Sequence, residues 1–225
     1  MKMNKPPLRA VMFDLDGTLL DTAPDFVVVV NQLLLEQQRP VLPDATIRAG
    51  VSNGSKALIR LAFGIDESNT DFEPLRQRLL ALYLQHIAVH TKPFPGIEPL
   101  LEKIAEHQLA WGIATNKPEA YTTPLMDALN IRPAPASVIC PEHVQRSKPD
   151  PESMFLAGKH LGCEPQQIIF IGDHKRDIDC GRDAGSITIA AAYGYVDEGD
   201  DPTQWNADYC VNHADEIWPI IQQYL

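Results

Sequence analysis

The chain has 225 residues, 44% hydrophobic and 22% charged, which excludes a disulfide-held mini-protein and wholesale disorder and leaves room for one large α/β domain with a smaller insert. Its 19 Lys and Arg stand against 30 Asp and Glu, a formal charge of -11. Nucleic acid and anionic membrane surfaces are therefore disfavoured as partners, whereas a small phosphorylated metabolite is not, because a few cations or a metal ion can make one cleft locally positive.

The start, Met1 to Phe13, carries Lys2, Lys5 and Arg9, but its apolar run from Ala10 to Phe13 is far short of a signal-peptide core of about 7–15 residues. No apolar run approaches the ~20 residues of a membrane span. Cys140, Cys163, Cys180 and Cys210 form no C-x-x-C pair, so reduced thiols in a cytoplasmic protein, monomeric or homodimeric, are expected.

Leu8 to Phe13 is short and apolar and ends abruptly in Asp14-Leu15-Asp16-Gly17-Thr18, the pattern of a buried strand running into a polar loop. From Asp21-Thr22-Ala23-Pro24, a capping residue and an early proline open a helix to about Gln38, despite the β-branched run Val27 to Val30. Residues 43–90 hold only helical patterns, broken at Gly50 to Gly54 and Gly64 to Thr70, which predicts an all-helical insert over residues 21–93. His86 and His90 have the i, i+4 spacing of a zinc pair, but Ile87 stands where the glutamate base would be, so that reading is rejected.

Beyond Pro93-Phe94-Pro95-Gly96, strands and helices alternate, with strands predicted at Leu109 to Ala114, Ser137 to Cys140, Ile168 to Ile171, Ile187 to Ala191 and Asp208 to Val211. Such alternation predicts a doubly wound parallel sheet, a Rossmann-like core made of residues 1–20 and 94–225. Ligands in these sheets sit beyond the carboxyl ends of the strands. Asp14 and Asp16 follow the first strand, Thr115-Asn116-Lys117 the second, Ser147-Lys148-Pro149 the third, and Gly172-Asp173 with Asp177 the fourth. Any one Asp after a strand can be a loop or cap residue. Two carboxylates two apart at one strand end repel unless a cation intervenes. Carboxylates, a hydroxyl and an ammonium gathered there suit a phosphoryl group and Mg²⁺.

Phe13-Asp14-Leu15-Asp16-Gly17-Thr18-Leu19, Thr115-Asn116, Ser147-Lys148-Pro149 and Gly172-Asp173-His174-Lys175-Arg176-Asp177 resemble, in order, the motifs of the haloacid dehalogenase-like hydrolases, and the helical insert resembles the family's cap. The resemblance implies a Mg²⁺-dependent phosphatase in which Asp14 is the nucleophile and Asp16 the general acid and then base. It implies that Asp14 and Asp173 ligate the metal through side chains and Asp16 through its backbone carbonyl. Thr115, Asn116 and Lys148 would bind the phosphoryl group, with Asp177 orienting the metal shell or Lys148. His174 departs from the small or acidic residue frequent there, so altered metal affinity or a proton relay stands beside a plain loop histidine. Asp16 itself argues against dehalogenase chemistry, which needs no proton for a halide.

Selectivity falls to the insert, since the core motifs read only the phosphoryl group. Arg48, Asn53 and Gly54, at the Gly50 to Gly54 break, are the candidates to reach over the site. The overall layout resembles phosphoglycolate phosphatases, while Ala88 to Thr91, Trp111 to Pro118, Ile139 to Val144 and Tyr193 to Tyr195 are more similar to the phosphatases of N-acetylmuramic acid 6-phosphate in bacterial cell-wall recycling. Both substrates carry a carboxylate that a cation such as Arg48 would serve. A sugar phosphomutase and a phosphorylatable receiver-like module are the alternatives; no phosphate-binding glycine loop follows any strand, which disfavours a nucleotide cofactor.

Overall fold

In the computed structural model, which describes residues 7–197 and 199–225, the chain runs through β1 (Ala10–Phe13), β2 (Leu20–Asp21), α1 (Ala23–Glu36), α2 (Asp44–Gly50), α3 (Gly54–Phe63), α4 (Phe72–Gln85) and β3 (Lys92–Pro93). It continues through α5 (Ile97–Glu106), β4 (Ala110–Ala114), α6 (Glu119–Leu129), β5 (Ser137–Ile139), α7 (Glu152–Leu161), β6 (Ile168–Gly172), α8 (Lys175–Ala184), β7 (Ile187–Ala191), β8 (Tyr209–Val211) and α9 (Ile217–Ile221). Lys2 and Lys5 lie outside the described residues. No helix among the described residues is long and apolar enough to cross a membrane, and the four cysteines are free thiols.

Six strands form one parallel sheet in the order β5-β4-β1-β6-β7-β8, the doubly wound arrangement predicted above. Every residue of β1 and β6 is buried, because helices cover both faces and no alternation of polar side chains is tolerated. The first strand begins at Ala10 rather than Leu8, although Arg9 already bonds to its neighbours on both sides. After β1 the chain builds outward through β4 and β5, then crosses to β6 on the other side. This places the switch point of the winding at β1. Phe13 pairs with both Ile113 and Ile171, so the residues that follow these three strands emerge at one level.

The α1 helix survives its valine run because Phe26, Val29, Val30, Leu33 and Leu34 are all buried, a helical stripe whose burial outweighs the small propensity cost of β-branching. Pro24 sits in its first turn, where no backbone N–H is required. The helices α1 to α4 fall between β2 and β3 in sequence and pack on one another. A connection that sequence patterning does not reveal joins them to the sheet: β2 and β3 pair antiparallel, Leu20 with Pro93 and Asp21 with Lys92. Two-residue strands are too short to carry a periodic signal. The buried Asp25 carboxylate pins the returning segment by accepting from the backbone N–H of His90 and Thr91 and from the Thr91 hydroxyl, at 2.8, 3.0 and 2.6 Å. His86 Nδ1 lies 3.2 Å from the same carboxylate.

Candidate active site

At the carboxyl ends of β1, β5 and β6, three buried aspartates and one buried lysine meet. Lys148 Nζ lies 2.8 Å from Asp14 Oδ1 and 2.7 Å from Asp177 Oδ1. Burial pulls the Lys148 ammonium down, but Asp14 and Asp177 together hold it above its ordinary value, so it stays charged. Burial raises Asp14 while Lys148 opposes it. Asp177 also accepts from the backbone N–H of His174 at 3.1 Å, so it aims Lys148 from a fixed helix start.

Asp173 is different. Its carboxylate accepts from the Thr18 hydroxyl at 3.0 Å, the Ser52 hydroxyl at 3.2 Å and the Tyr195 backbone N–H at 2.8 Å, with no cation among these donors. Burial, followed by the charges of Asp14 and Asp177, pushes it up to about 8. Asp14, Asp173 and Asp177 offer oxygens within 4.8 Å of one another. Hard oxygen donors whose three negative charges are met by the single bonded ammonium of Lys148 are what a divalent cation such as Mg²⁺ takes. Gly17 makes the close approach possible: its φ is +87°, and a side chain there would begin 2.0 Å from Asp173 Oδ2.

Asp16 anchors one oxygen and frees the other. Its Oδ1 accepts from the Thr22 hydroxyl at 2.6 Å and from Lys117 Nζ at 3.0 Å, and the residue lines an adjoining cavity of about 250 Å³. Lys117, which sequence reasoning assigned no role, is buried under the rings of Phe26 and Tyr83, 5.2 and 4.6 Å from their centroids. Burial opposes its charge, yet Asp16 and Tyr83 raise it above the usual lysine range. The Thr115 hydroxyl accepts from the Lys117 N–H at 3.1 Å, which leaves its own proton for an oxygen in the cavity.

Asn116 and Arg48 do not do what was expected of them. The Asn116 side chain donates to the Lys148 carbonyl at 3.0 Å and accepts from the Lys148 N–H at 3.2 Å; although it lines the cavity, its amide is committed to holding Lys148. Asn116→Ala is expected to lower kcat about tenfold with a smaller change in KM, as for a positioning residue, and steady-state kinetics would check it. Arg48 lies off the cavity, bonded to Asp21 at 2.8 and 3.0 Å and stacked 4.7 Å above the Tyr195 ring. A cation beside a buried junction found closer partners than a ligand.

The turn between α2 and α3 does reach the site. Besides Ser52, Asn53 donates to Asp197 at 2.8 Å, and Arg176 donates to the Ser52 carbonyl. Asn53 and Gly54 line the cavity, as do Arg76, Leu80, Tyr121 and Arg176. His174 is a capping residue: its Nδ1 accepts from the Arg176 N–H at 3.2 Å at the start of α8, and burial keeps its pKa low. Arg76 and Arg176 were missed because each sits in a helical charge pattern that in sequence reads as solvated surface.

A family model described as haloacid dehalogenase-like hydrolase matches residues 11–191. The chain is 44% identical to an N-acetylmuramic acid 6-phosphate phosphatase of Pseudomonas putida, over 97% of this chain and 98% of that protein. It is 35% identical to a phosphoglycolate phosphatase of Xanthomonas campestris, over 93% of this chain and 95% of that one. A solved haloacid dehalogenase-like hydrolase of Streptococcus pneumoniae shares the fold with a TM-score of 0.81 at 22% identity, covering 96% of this chain and 99% of that chain.

Proposed function

The chain belongs to the haloacid dehalogenase-like hydrolase family, and we propose that it is a phosphatase that hydrolyses N-acetylmuramic acid 6-phosphate through a phosphoryl-aspartate at Asp14. The observation that carries the reaction is the meeting of Asp14, Lys148 and Asp173 at one sheet end, beside a cavity that Asp16 and Thr115 also line. An Asp14 carboxylate oxygen forms the bond to phosphorus as the ester bond breaks. Asp16 gives its proton to the departing sugar oxygen, then takes one from the water that attacks phosphorus and frees Asp14. Lys148 and Thr115 hold the phosphoryl oxygens, and Asp177 and Asn116 hold Lys148. The side chains of Asp14 and Asp173 and the backbone carbonyl of Asp16 would hold Mg²⁺, which when bound offsets the charge of the phosphoryl oxygens. The α1 to α4 unit, residues 21–93, serves as the cap that closes on the substrate, with Ser52 and Asn53 already against the core. The four free thiols accord with a cytoplasmic setting.

The substrate rests on two supports. Relatives of P. putida and Pseudomonas aeruginosa named for N-acetylmuramic acid 6-phosphate are 44% and 42% identical across nearly the whole chain. The cavity of about 250 Å³ has room for roughly eight waters at liquid density, more than a phosphorylated two-carbon acid occupies, and the half-buried Tyr121 gives its lining an aromatic ring suited to a sugar. Comparison of kcat/KM for N-acetylmuramic acid 6-phosphate, 2-phosphoglycolate and hexose phosphates tests this. The first is expected to be highest; a higher value for 2-phosphoglycolate would move the assignment there, and an isomerised sugar phosphate in place of inorganic phosphate would make the chain a mutase.

Cation binding has a pH signature. With Asp173 raised to about 8, the cation-free folded state holds a proton that the unfolded chain releases. That contribution to stability is full below about pH 4 and is lost as pH rises through about 8. Magnesium replaces this proton, so added MgCl₂ is expected to raise Tm more at about pH 8.5 than at about pH 6. Thermal unfolding of the wild type and Asp173→Asn checks it: an equal shift at both pH values, or an undiminished shift in the variant, would remove Asp173 from the site.

A further inference from the structure

Three cations line the cavity: Lys117, Arg176 and Arg76. Lys117 is spent on Asp16 at the floor. Arg176 is tied to the Ser52 carbonyl, and its charge lies close enough to Asp14 to oppose in small part the rise that burial causes there. Arg76, on α4, is the only cation from the helical insert among the described residues lining the cavity. Its Nε and Nη2 donate to the two Glu73 oxygens at 2.8 and 2.7 Å, a bidentate clamp that fixes the guanidinium plane. Arg76 and Gln77 in turn hold the Glu73 carboxyl down at about 2, so the clamp persists across the working pH range. Nη1 makes a long contact of 3.4 Å to the Ser55 hydroxyl. A guanidinium has five N–H groups, so two of those on Arg76 have no partner among the described residues.

The helix that carries Arg76 also sets its distance from the chemistry. Arg76, Leu80 and Tyr83 stand at i, i+4 and i+7 on α4 and all line the cavity. Tyr83 covers Lys117 at the floor. Seven residues amount to roughly 10 Å along a helix axis, which places Arg76 toward the far end of the cavity from Asp16. A side chain only 23% exposed, oriented by a permanent anion and holding unused donors, is prepared for an anionic group on the substrate.

We propose that Arg76 is the specificity residue that binds a carboxylate carried by the substrate at the end opposite its phosphate, so that the enzyme selects sugar-sized phosphate monoesters bearing an acid group. This rests on the phosphatase reading above and goes beyond it by assigning the acid to one side chain. Arg48, the cation that sequence reasoning favoured for this task, is not among the residues lining the cavity and lies against Asp21 and the Tyr195 ring instead.

The test measures kcat/KM for N-acetylmuramic acid 6-phosphate and for N-acetylglucosamine 6-phosphate, which lacks the acid-bearing ether, with 2-phosphoglycolate as a short acid. Wild type, Arg76→Gln and Arg76→Lys are compared. In Arg76→Gln the ratio of the first two values is expected to fall about 10- to 100-fold, the loss of one charged hydrogen-bonding group from a recognised anion, with partial recovery in Arg76→Lys. The value for 2-phosphoglycolate is expected to fall much less, since a two-carbon acid cannot span the cavity. An unchanged ratio, or equal losses on both hexosamine phosphates, overturns the proposal, and an equal loss on 2-phosphoglycolate overturns the distal placement. Wild-type protein with no activity on any phosphate monoester, p-nitrophenyl phosphate included, would sink the phosphatase reading instead; an active enzyme with no preference between the two hexosamine phosphates would sink the assignment of Arg76 alone.

Discussion

Asp14→Asn is expected to abolish turnover, by at least about 10⁴-fold, in a protein that folds as well as the wild type or better. The amide keeps the shape of the carboxylate and an oxygen that can accept from Lys148 and from the Leu15 N–H, which lie 2.8 and 2.7 Å from Oδ1. What it loses is the charge that makes the oxygen a nucleophile, and with it the only route to a phosphoryl-enzyme. Its NH₂ group enters a pocket shared with the Asp173 and Asp177 carboxylates, whose oxygens lie within 4.8 Å, so one of three crowded carboxylate charges is removed. In the absence of Mg²⁺ the variant is therefore expected to melt at or above the wild-type temperature. Kinetics and thermal unfolding on one preparation check both halves. Activity within tenfold of wild type would show that Asp14 is not the nucleophile, and a large fall in Tm would show that its charge has a structural duty.

The parts of this architecture that sequence reading reached are those fixed by burial. A strand covered on both faces must be apolar along nearly its whole length; Ala10 to Phe13 and Ile168 to Ile171 are wholly so, and Ile187 to Ala191 is but for Thr188, whose hydroxyl donates to Asp208. The residues after such strands then define the site by topology. Asp14 and Asp173 were legible for that reason, and Lys148, nine residues beyond β5, through the Ser147-Lys148-Pro149 motif it shares with the family. Residues whose role depends on a partner from another part of the chain were not. Lys117 stands in plain view after Thr115 and Asn116, but nothing local says that Phe26 and Tyr83 will roof it. Arg76 forms an i, i+3 pair with Glu73 that resembles any exposed helix pair until α4 is set against the core. Asn116 carries the right chemistry to bind a phosphate and is diverted because the Lys148 backbone reaches it first. Arg48 was misassigned for the converse reason: the unforeseen β2–β3 pairing holds Asp21 where it captures the guanidinium.

Lys148→Met separates the structural from the chemical duty of the lysine. Lys148 is the only cation bonded to Asp14 and Asp177 among the described residues, and its removal leaves both carboxylates buried without a directly bonded counter-charge. Breaking one side of a buried ion pair costs about 3–5 kcal/mol, so the variant is expected to lose a large part of a stability that for most domains is only about 5–15 kcal/mol. Asp14, already raised by burial and held back by Lys148, rises further once the lysine is gone. It then carries in the folded state a proton that the unfolded chain gives up, so the variant is relatively more stable at low pH and loses ground as pH climbs through the raised value. The Tm deficit against wild type is therefore expected to be smaller at about pH 5 than at about pH 8, measured without Mg²⁺. Adding Asp177→Asn removes one of the stranded charges and should recover part of the deficit at the higher pH, because the two sites are coupled rather than additive. Activity should stay lost in both variants, since neither supplies a cation to the phosphoryl oxygens. A deficit that ignores pH, or a double variant no more stable than the single, would mean that Lys148 contributes through packing against Phe170, 5.5 Å from its ammonium, and not through the charges it joins.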